Sequence, residues 1–167
     1  MRHVISILIE NEAGALSRVV GLFSQRGYNI DSLTVAPTDD PTLSRCTILT
    51  TGEKDEAEQI TKQLHKLVCV FRVAAIQEEA EGGFERELTL IKVATPNRNI
   101  RDDVKSLADI FKANIIDVNA DILTLEYAAS SEQTDIFLKT MSKLTEVVEV
   151  VRSGVLGIAK GSHYMKP

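Results

Sequence analysis

The chain has 167 residues, 44% of them hydrophobic, and a formal net charge of -5. That length holds one medium domain or two small ones with separate cores, and the acidic balance gives no field to draw nucleic acid or anionic lipid. No run approaches the roughly 18 apolar residues of a membrane span, and the opening MRHVISILIE turns acidic too soon for a signal peptide, so the chain reads as cytoplasmic with no membrane partner.

In chain order, strands are predicted at 3 to 10, 29 to 36, 43 to 51 and 69 to 77, with helices at 14 to 26 and 54 to 66 between them. Val4, Ile5, Ile7, Leu8 and Ile9 form an apolar run of strand length, and Leu16, Val19, Val20 and Phe23 then recur at helical spacing. Gly27 falls where a helix end favours a left-handed residue. PTDDPT, from Pro37, is too polar and proline-rich for either regular state and reads as the loop between the second and third strands.

The same order returns further on. Strands are predicted at 86 to 94, 115 to 119, 122 to 129 and 147 to 153, with helices at 99 to 112 and 131 to 143. Val104, Leu107, Ala108 and Phe111 repeat the helical spacing of the first half, and Val150 opens VVRS where Val70 opens VFRV. The charged EEAEGGFERE between the halves has little to bury. The expected division is therefore 1 to 77, a linker at 78 to 85, a second domain at 86 to 160 and a tail at 161 to 167. Two βαββαβ units with short links imply an α+β protein of two ferredoxin-like sandwiches in tandem, each an antiparallel sheet with two helices on one face.

No catalytic or metal-ligating set is visible. His3, His65 and His163 have no Cys, Asp or His partner at ligand or triad spacing, and the glycines form neither a GxGxxG nor a phosphate loop. Cys46 and Cys69 lack metal-ligand spacing and read as buried, reduced thiols. Asp39 and Asp40, flanked by prolines, read first as solvated turn residues and second as carboxylates that could meet basic groups on a partner.

Chemistry is most plausible at the first strand-to-helix loop. Small Ala13, Gly14 and Ala15 let an anion such as a carboxylate approach the N–H groups at the helix start. Asn11 and Asn29 each offer an amide with donor and acceptor, which suits a zwitterionic amino acid, and Leu16 and Ile30 could wall an aliphatic side chain. The same residues also admit a structural role, Asn11 turning the chain and Gly14 packing helix on sheet.

The stretch LIENEAGALSRVVGLFSQRGYNIDSLTVAPTDDPTLSR, continued by EQITKQLHKLV, resembles the N-terminal ACT domain of the small, regulatory subunits of bacterial acetolactate (acetohydroxyacid) synthase. From GGFERELTLIKV to VEVVRSGVLGIAKG the resemblance persists more loosely and matches that family's second domain. It implies a subunit without chemistry of its own, which binds a large catalytic subunit carrying thiamine diphosphate, Mg and FAD, activates it, and confers feedback inhibition by valine. It further implies a homodimer through the ACT domains. The effector would lie between Asn11, Glu12, Ala13, Gly14, Ala15 and Leu16 of one chain and Asn29 and Ile30 of the other.

Three other classes compete. An RNA-binding domain of the same strand order stacks bases on aromatic residues of its central strands, and VISILIE and LSRCTILTT contain none. A small enzyme needs acid, base or nucleophile partners that are not visible in the sequence. A non-catalytic assembly scaffold with a degenerate effector site is the strongest rival, and it differs from a regulator in whether an amino acid shifts the melting temperature.

Overall fold

The computed structural model describes residues 1–76 and 82–166. It divides into two compact units, Met1–Glu85 with Val155–Pro167, and Arg86–Gly154.

The first unit holds β1 (Arg2–Glu10), α1 (Ala15–Arg26), β2 (Ser32–Pro37), β3 (Leu43–Thr51), α2 (Lys54–Leu64) and β4 (Val70–Ala75), with sheet order β2-β3-β1-β4 and every pairing antiparallel. This is the expected split βαβ sandwich. A central strand covered on both sides reads as a continuous apolar run, and β1 is buried on both faces. Ile5, Ile7 and Ile9 meet Val19 and Phe23 of α1 and Ile60 and Leu64 of α2 in one core. The buried residues of each helix recur at helical spacing: Ala15, Val19 and Phe23 on α1, and Ala57, Ile60 and Leu64 on α2. Gly27, left-handed at φ 72°, closes α1, and Tyr28 N–H returns to Phe23 O at 3.0 Å.

The opposite face of this sheet is covered from far along the chain. Val4, Ile76 and Val155 form a buried cluster against Leu49, and β9 (Leu156–Ala159) follows directly. Val155 N–H donates to Ser32 Oγ at 3.3 Å, and its carbonyl accepts from Thr34 Oγ1 at 2.9 Å. At Gly157 the backbone passes so close to the sheet that a Cβ would sit 3.0 Å from Val4 Cγ1 and 3.1 Å from Ile76 Cγ1.

The second unit follows the same plan. β5 (Gly83–Ala94), α3 (Arg98–Phe111), β6 (Asn114–Val118), β7 (Ile122–Ala129), α4 (Ser131–Leu144) and β8 (Val147–Arg152) give the order β6-β7-β5-β8. Its core joins Ile91, Val93, Val104, Leu123, Leu125 and Met141. Phe137 packs within it at 4.7 Å from the Tyr127 ring and 5.0 Å from the Phe111 ring.

Several expected boundaries shift in the structure. Residues 83–85 are strand, not linker: β5 starts at Gly83 and pairs with β9, and Lys160 N–H donates to Gly82 O at 3.1 Å. The linker expectation at 78 to 81 lies outside the described residues. Residues 155–160, at the end of the expected second domain, and the described part of the tail pack with the first unit, where Val155 helps to cover the sheet. The second strand was expected from residue 29 and begins at Ser32, since the Asn29 carbonyl accepts from the Thr50 hydroxyl at 2.6 Å instead of joining a ladder.

Candidate effector site

The β1–α1 loop holds the first half of the candidate site. β1 ends at Glu10, and the next residue is tied by two bonds to the β2–β3 loop and by a third to the start of β3. Asn11 N–H donates to Thr42 O at 2.7 Å, its Nδ2 donates to Pro41 O at 2.9 Å, and its Oδ1 accepts from Ser44 Oγ at 3.0 Å. The structural role considered for Asn11 is therefore real, but it does not exhaust the amide. One N–H and one lone pair of the exposed side chain are left over.

Glu12, Ala13 and Gly14 are exposed, and Gly14 stands at the start of α1 with a left-handed φ of 88°. Arg18 N–H closes the first turn on Gly14 O at 3.1 Å, and Ala15 N–H donates to Glu12 O at 3.2 Å. Helix geometry leaves Leu16 and Ser17 N–H without an intrahelical carbonyl. Among the described residues, α1 starts with neither a side-chain cap nor an acid in its first turn. The other helices differ: Asn97 Oδ1 accepts from Ile100 N on α3, Ser130 Oγ accepts from Gln133 N on α4, and Glu56 Oε2 accepts from Glu53 N at α2. Nothing lies within 4 Å of where a Gly14 Cβ would stand, so the glycine answers backbone conformation and not helix packing.

Asn29 and Ile30 form the second half. Asn29 is exposed, and its Nδ2 donates to Asp31 Oδ1 at 2.6 Å. Asp31 is itself anchored, its Oδ2 accepting from Thr51 Oγ1 at 2.7 Å. Asn29 also lines a small cavity of about 160 Å³ with His3, Tyr28 and Thr50. Leu16 and Ile30 are half-buried, each packed on the core and partly open.

Within one chain the halves are far apart. Asn29 is bonded to Thr50, which pairs with His3 at the start of β1, whereas Asn11 follows the end of β1. Strand rise over that length puts roughly 25 Å between them. No small ligand can touch both halves of a single copy.

The β2–β3 loop carries Asp39 and Asp40, both exposed. Asp40 is occupied by the turn: its Oδ1 accepts from Thr42 Oγ1 at 2.7 Å and from Thr42 N at 2.9 Å. Those two bonds, the side-chain one first, hold its carboxyl below the usual Asp range. Asp39 makes no such bond among the described residues.

Sequence reasoning missed the residues that fix the two asparagines. Ser44 reaches Asn11 and Thr50 reaches Asn29 through strand pairing, and no linear motif marks either contact. Among the described residues no cluster of three His, Cys, Asp or Glu could hold a metal, and no helix is long and apolar enough to cross a membrane.

Tandem split βαβ sandwiches, the first with an open helix start beside a strand-end asparagine, place the chain among ACT-type α+β proteins. Residues 5–72 match the family described as AHAS small subunit-like ACT domain, and residues 86–161 match the one described as small subunit of acetolactate synthase. The Escherichia coli acetolactate synthase isozyme 3 small subunit is 52% identical over 166 residues, covering 99% of this chain and 100% of that one. The acetolactate synthase small subunit of Mycobacterium leprae is 40% identical over 159 residues, covering 95% of this chain and 92% of its own. A crystal structure of the acetolactate synthase small subunit from Thermotoga maritima superposes with a TM-score of 0.87 at 32% identity, over 98% of this chain and 99% of that one. The chain belongs to the acetolactate synthase small-subunit family, with an ACT domain as its first unit.

Proposed function

We propose that this chain is a cytoplasmic regulatory subunit that makes no acetolactate itself, docks on the large catalytic subunit where thiamine diphosphate, Mg and FAD reside, raises its activity, and confers feedback inhibition by valine. The observation that carries the effector role is the uncapped start of α1. The free N–H groups of Leu16 and Ser17, reached past Gly14, suit the effector's carboxylate. Glu12 has the right charge for its ammonium group, and the open flanks of Leu16 and Ile30 suit an aliphatic side chain.

The separation of the half-sites argues for a homodimer through the ACT domains. A two-fold axis brings the Asn11 half of one copy to the Asn29 half of the other, and it does so twice, giving two equivalent sites. Because Asn11 is bonded to the β2–β3 loop, an effector seated there acts directly on the loop that carries Asp39. Asp39, turned to solvent, is then a contact for basic groups of the catalytic subunit.

A second reading, an assembly scaffold with a degenerate effector site, is favoured by the bonds that the side-chain amides of Asn11 and Asn29 already make within the chain. One experiment separates the two. The purified chain is titrated with valine, leucine and isoleucine in a calorimeter, then mixed with a cognate catalytic subunit and assayed for acetolactate with and without valine. Stimulated turnover that valine suppresses, with measurable heat of binding, supports the regulator. Stimulated turnover that none of the three alters, with no heat, leaves the scaffold, and turnover by the isolated chain refutes both.

A further inference from the structure

A net charge of -5 makes the surface as a whole repel anions. One groove of the first unit runs against that trend. It lies between β4 and residues 158–166, encloses about 510 Å³, and is lined by Arg45, Arg72, His163 and Lys166, with no Asp or Glu among its described lining residues. That volume is in the range of small-molecule sites.

Arg45, on β3, is the least exposed of these cations. Its Nε donates to Ser6 Oγ at 2.9 Å and its Nη2 to Gly157 O at 3.2 Å, which leaves donors of the guanidinium fork unused. Burial lowers its pKa from the ordinary arginine value, as befits a cation drawn partly out of water. Arg72 Nη1 donates to Lys166 O at 2.9 Å, and it too has no acidic partner among the described residues. Arg2, by contrast, pairs with Glu85, and Arg152 with both Glu87 and Asp135. Beside the cations the wall is apolar, from Val73, Ile76 and Ile158.

We propose that this groove binds a small organic anion whose carboxylate, sulfonate or phosphate group meets Arg45 and Arg72 while its apolar body lies on Val73, Ile76 and Ile158. A planar guanidinium presents two parallel donors to such a group, and charge-assisted bonds of this kind are the strong ones. Among the described lining residues the cations have no acid to balance them, which favours an anion over a zwitterion here. None of the groove residues belongs to the effector half-sites, so the two ligands do not compete for the same groups. An occupant bridges β4 to residues 158–166 and stabilises the first unit by mass action.

The test uses the full chain and two fluorescent probes of similar body, the anionic anilinonaphthalene sulfonate and the neutral phenylnaphthylamine. The sulfonate is expected to bind the folded protein at one site per chain, to raise its melting temperature, and to be displaced by excess inorganic sulfate but not by valine. Arg72→Gln, at an exposed position, is expected to weaken it about tenfold or more, because a bond to a charged group is lost. Lys166→Gln gives a second variant that leaves the Ser6 and Gly157 bonds of Arg45 in place. The proposal is overturned by any of four results: no sulfonate binding, neutral probe bound as tightly as the anion, valine displacing the sulfonate, or unchanged affinity in an Arg72→Gln protein that melts normally.

Discussion

At the level of single residues, the two asparagines each have a structural bond and a spare valence, which decides which substitutions are informative. Asn11→Ala removes the bonds to Pro41 O and Ser44 Oγ, at a net cost of about 0.5–1.5 kcal/mol each, so it loosens the β2–β3 loop as well as any ligand contact. Gly14→Asp has a similar flaw, because a side chain at φ 88° adds strain of about 1–2 kcal/mol. Ala13→Asp is cleaner. Ala13 is exposed and has no left-handed backbone, and an acid beside a helix start is neutral or favourable to the fold. The expected outcome is a valine inhibition constant raised about tenfold or more by like-charge repulsion with the effector carboxylate, at an unchanged melting temperature. Asn29→Ala is expected to raise it by roughly 10 to 150 fold, the loss of a bond to a charged group. Inhibition curves and melts of the reconstituted variants check both, and wild-type constants in folded protein would place the effector elsewhere. Asp40 gives a pH test. Its folded pKa lies below 3.8, so its contribution to the loop is complete above that pH and is lost as pH falls through the lower folded value. A carboxyl titration by NMR should find its midpoint below the ordinary Asp value, moving part of the way back up in Thr42→Val, which keeps the backbone N–H bond. Amide and glycine chemistry alone marks Asn11, Gly14 and Asn29 as candidates in the sequence. That Asn11 is held by Ser44, or that Asp40 is consumed by its own turn, is not legible there, because those bonds cross strands or depend on a turn geometry that residue type does not dictate.

At the level of elements, every helix and strand that buries a face at its own period was readable, β1 from its apolar run and α1 from Val19 and Phe23. β9 was not. Residues 155–159, VLGIA, are as short as a loop fragment, and what makes them a strand is pairing with β5 over a surface supplied by Val4, Leu49 and Ile76, all distant in sequence. A ferredoxin-like sheet with helices on one face has to cover or wet the other, so the pattern demanded a cover without naming it. Val155 is the anchor of that cover, 2% exposed. Val155→Ala removes two methyl groups from a site packed by Val4 and Ile76, at a cost of about 1.5–3 kcal/mol. A thermal melt should show the transition of the first unit lowered by several degrees, while Val148→Ala, at a position 49% exposed, leaves it in place. Equal melts for the two variants would show that residues 155–159 do not hold the sheet. A thiol gives a second reading of the same packing. Cys46 is fully buried on β3 and its pKa is pushed up to about 12 by desolvation, so it should stay unlabelled by a disulfide reagent at pH 8 until denaturant opens the unit.

At the level of the whole molecule, the decisive quantity is the separation between the Asn11 and Asn29 halves, roughly 25 Å by strand rise. A sequence shows Asn11 after the first strand and Asn29 before the second, but not that they lie at opposite ends of β1, because that depends on the Thr50 bond and on strand register. If the site is shared across a two-fold axis, defects in opposite halves complement each other. Consider a dimer with Ala13→Asp in one chain and Asn29→Ala in the other. One of its two sites joins both defects, and the other joins a normal β1–α1 loop to a normal Asn29. Random remixing of the two variants makes half of the dimers mixed, so intact sites should reappear at about 0.25 per chain, against one per chain in the unaltered protein. Calorimetry with valine measures that number directly, before and after a cycle of mild dissociation and reassociation that exchanges chains. Neither variant alone is expected to show any site of wild-type affinity. Recovery of a quarter of the sites establishes that the effector is gripped by two chains. If the mixture binds no better than its components, although exchange has been shown by mass, then each chain holds its own effector and the two halves do not act together.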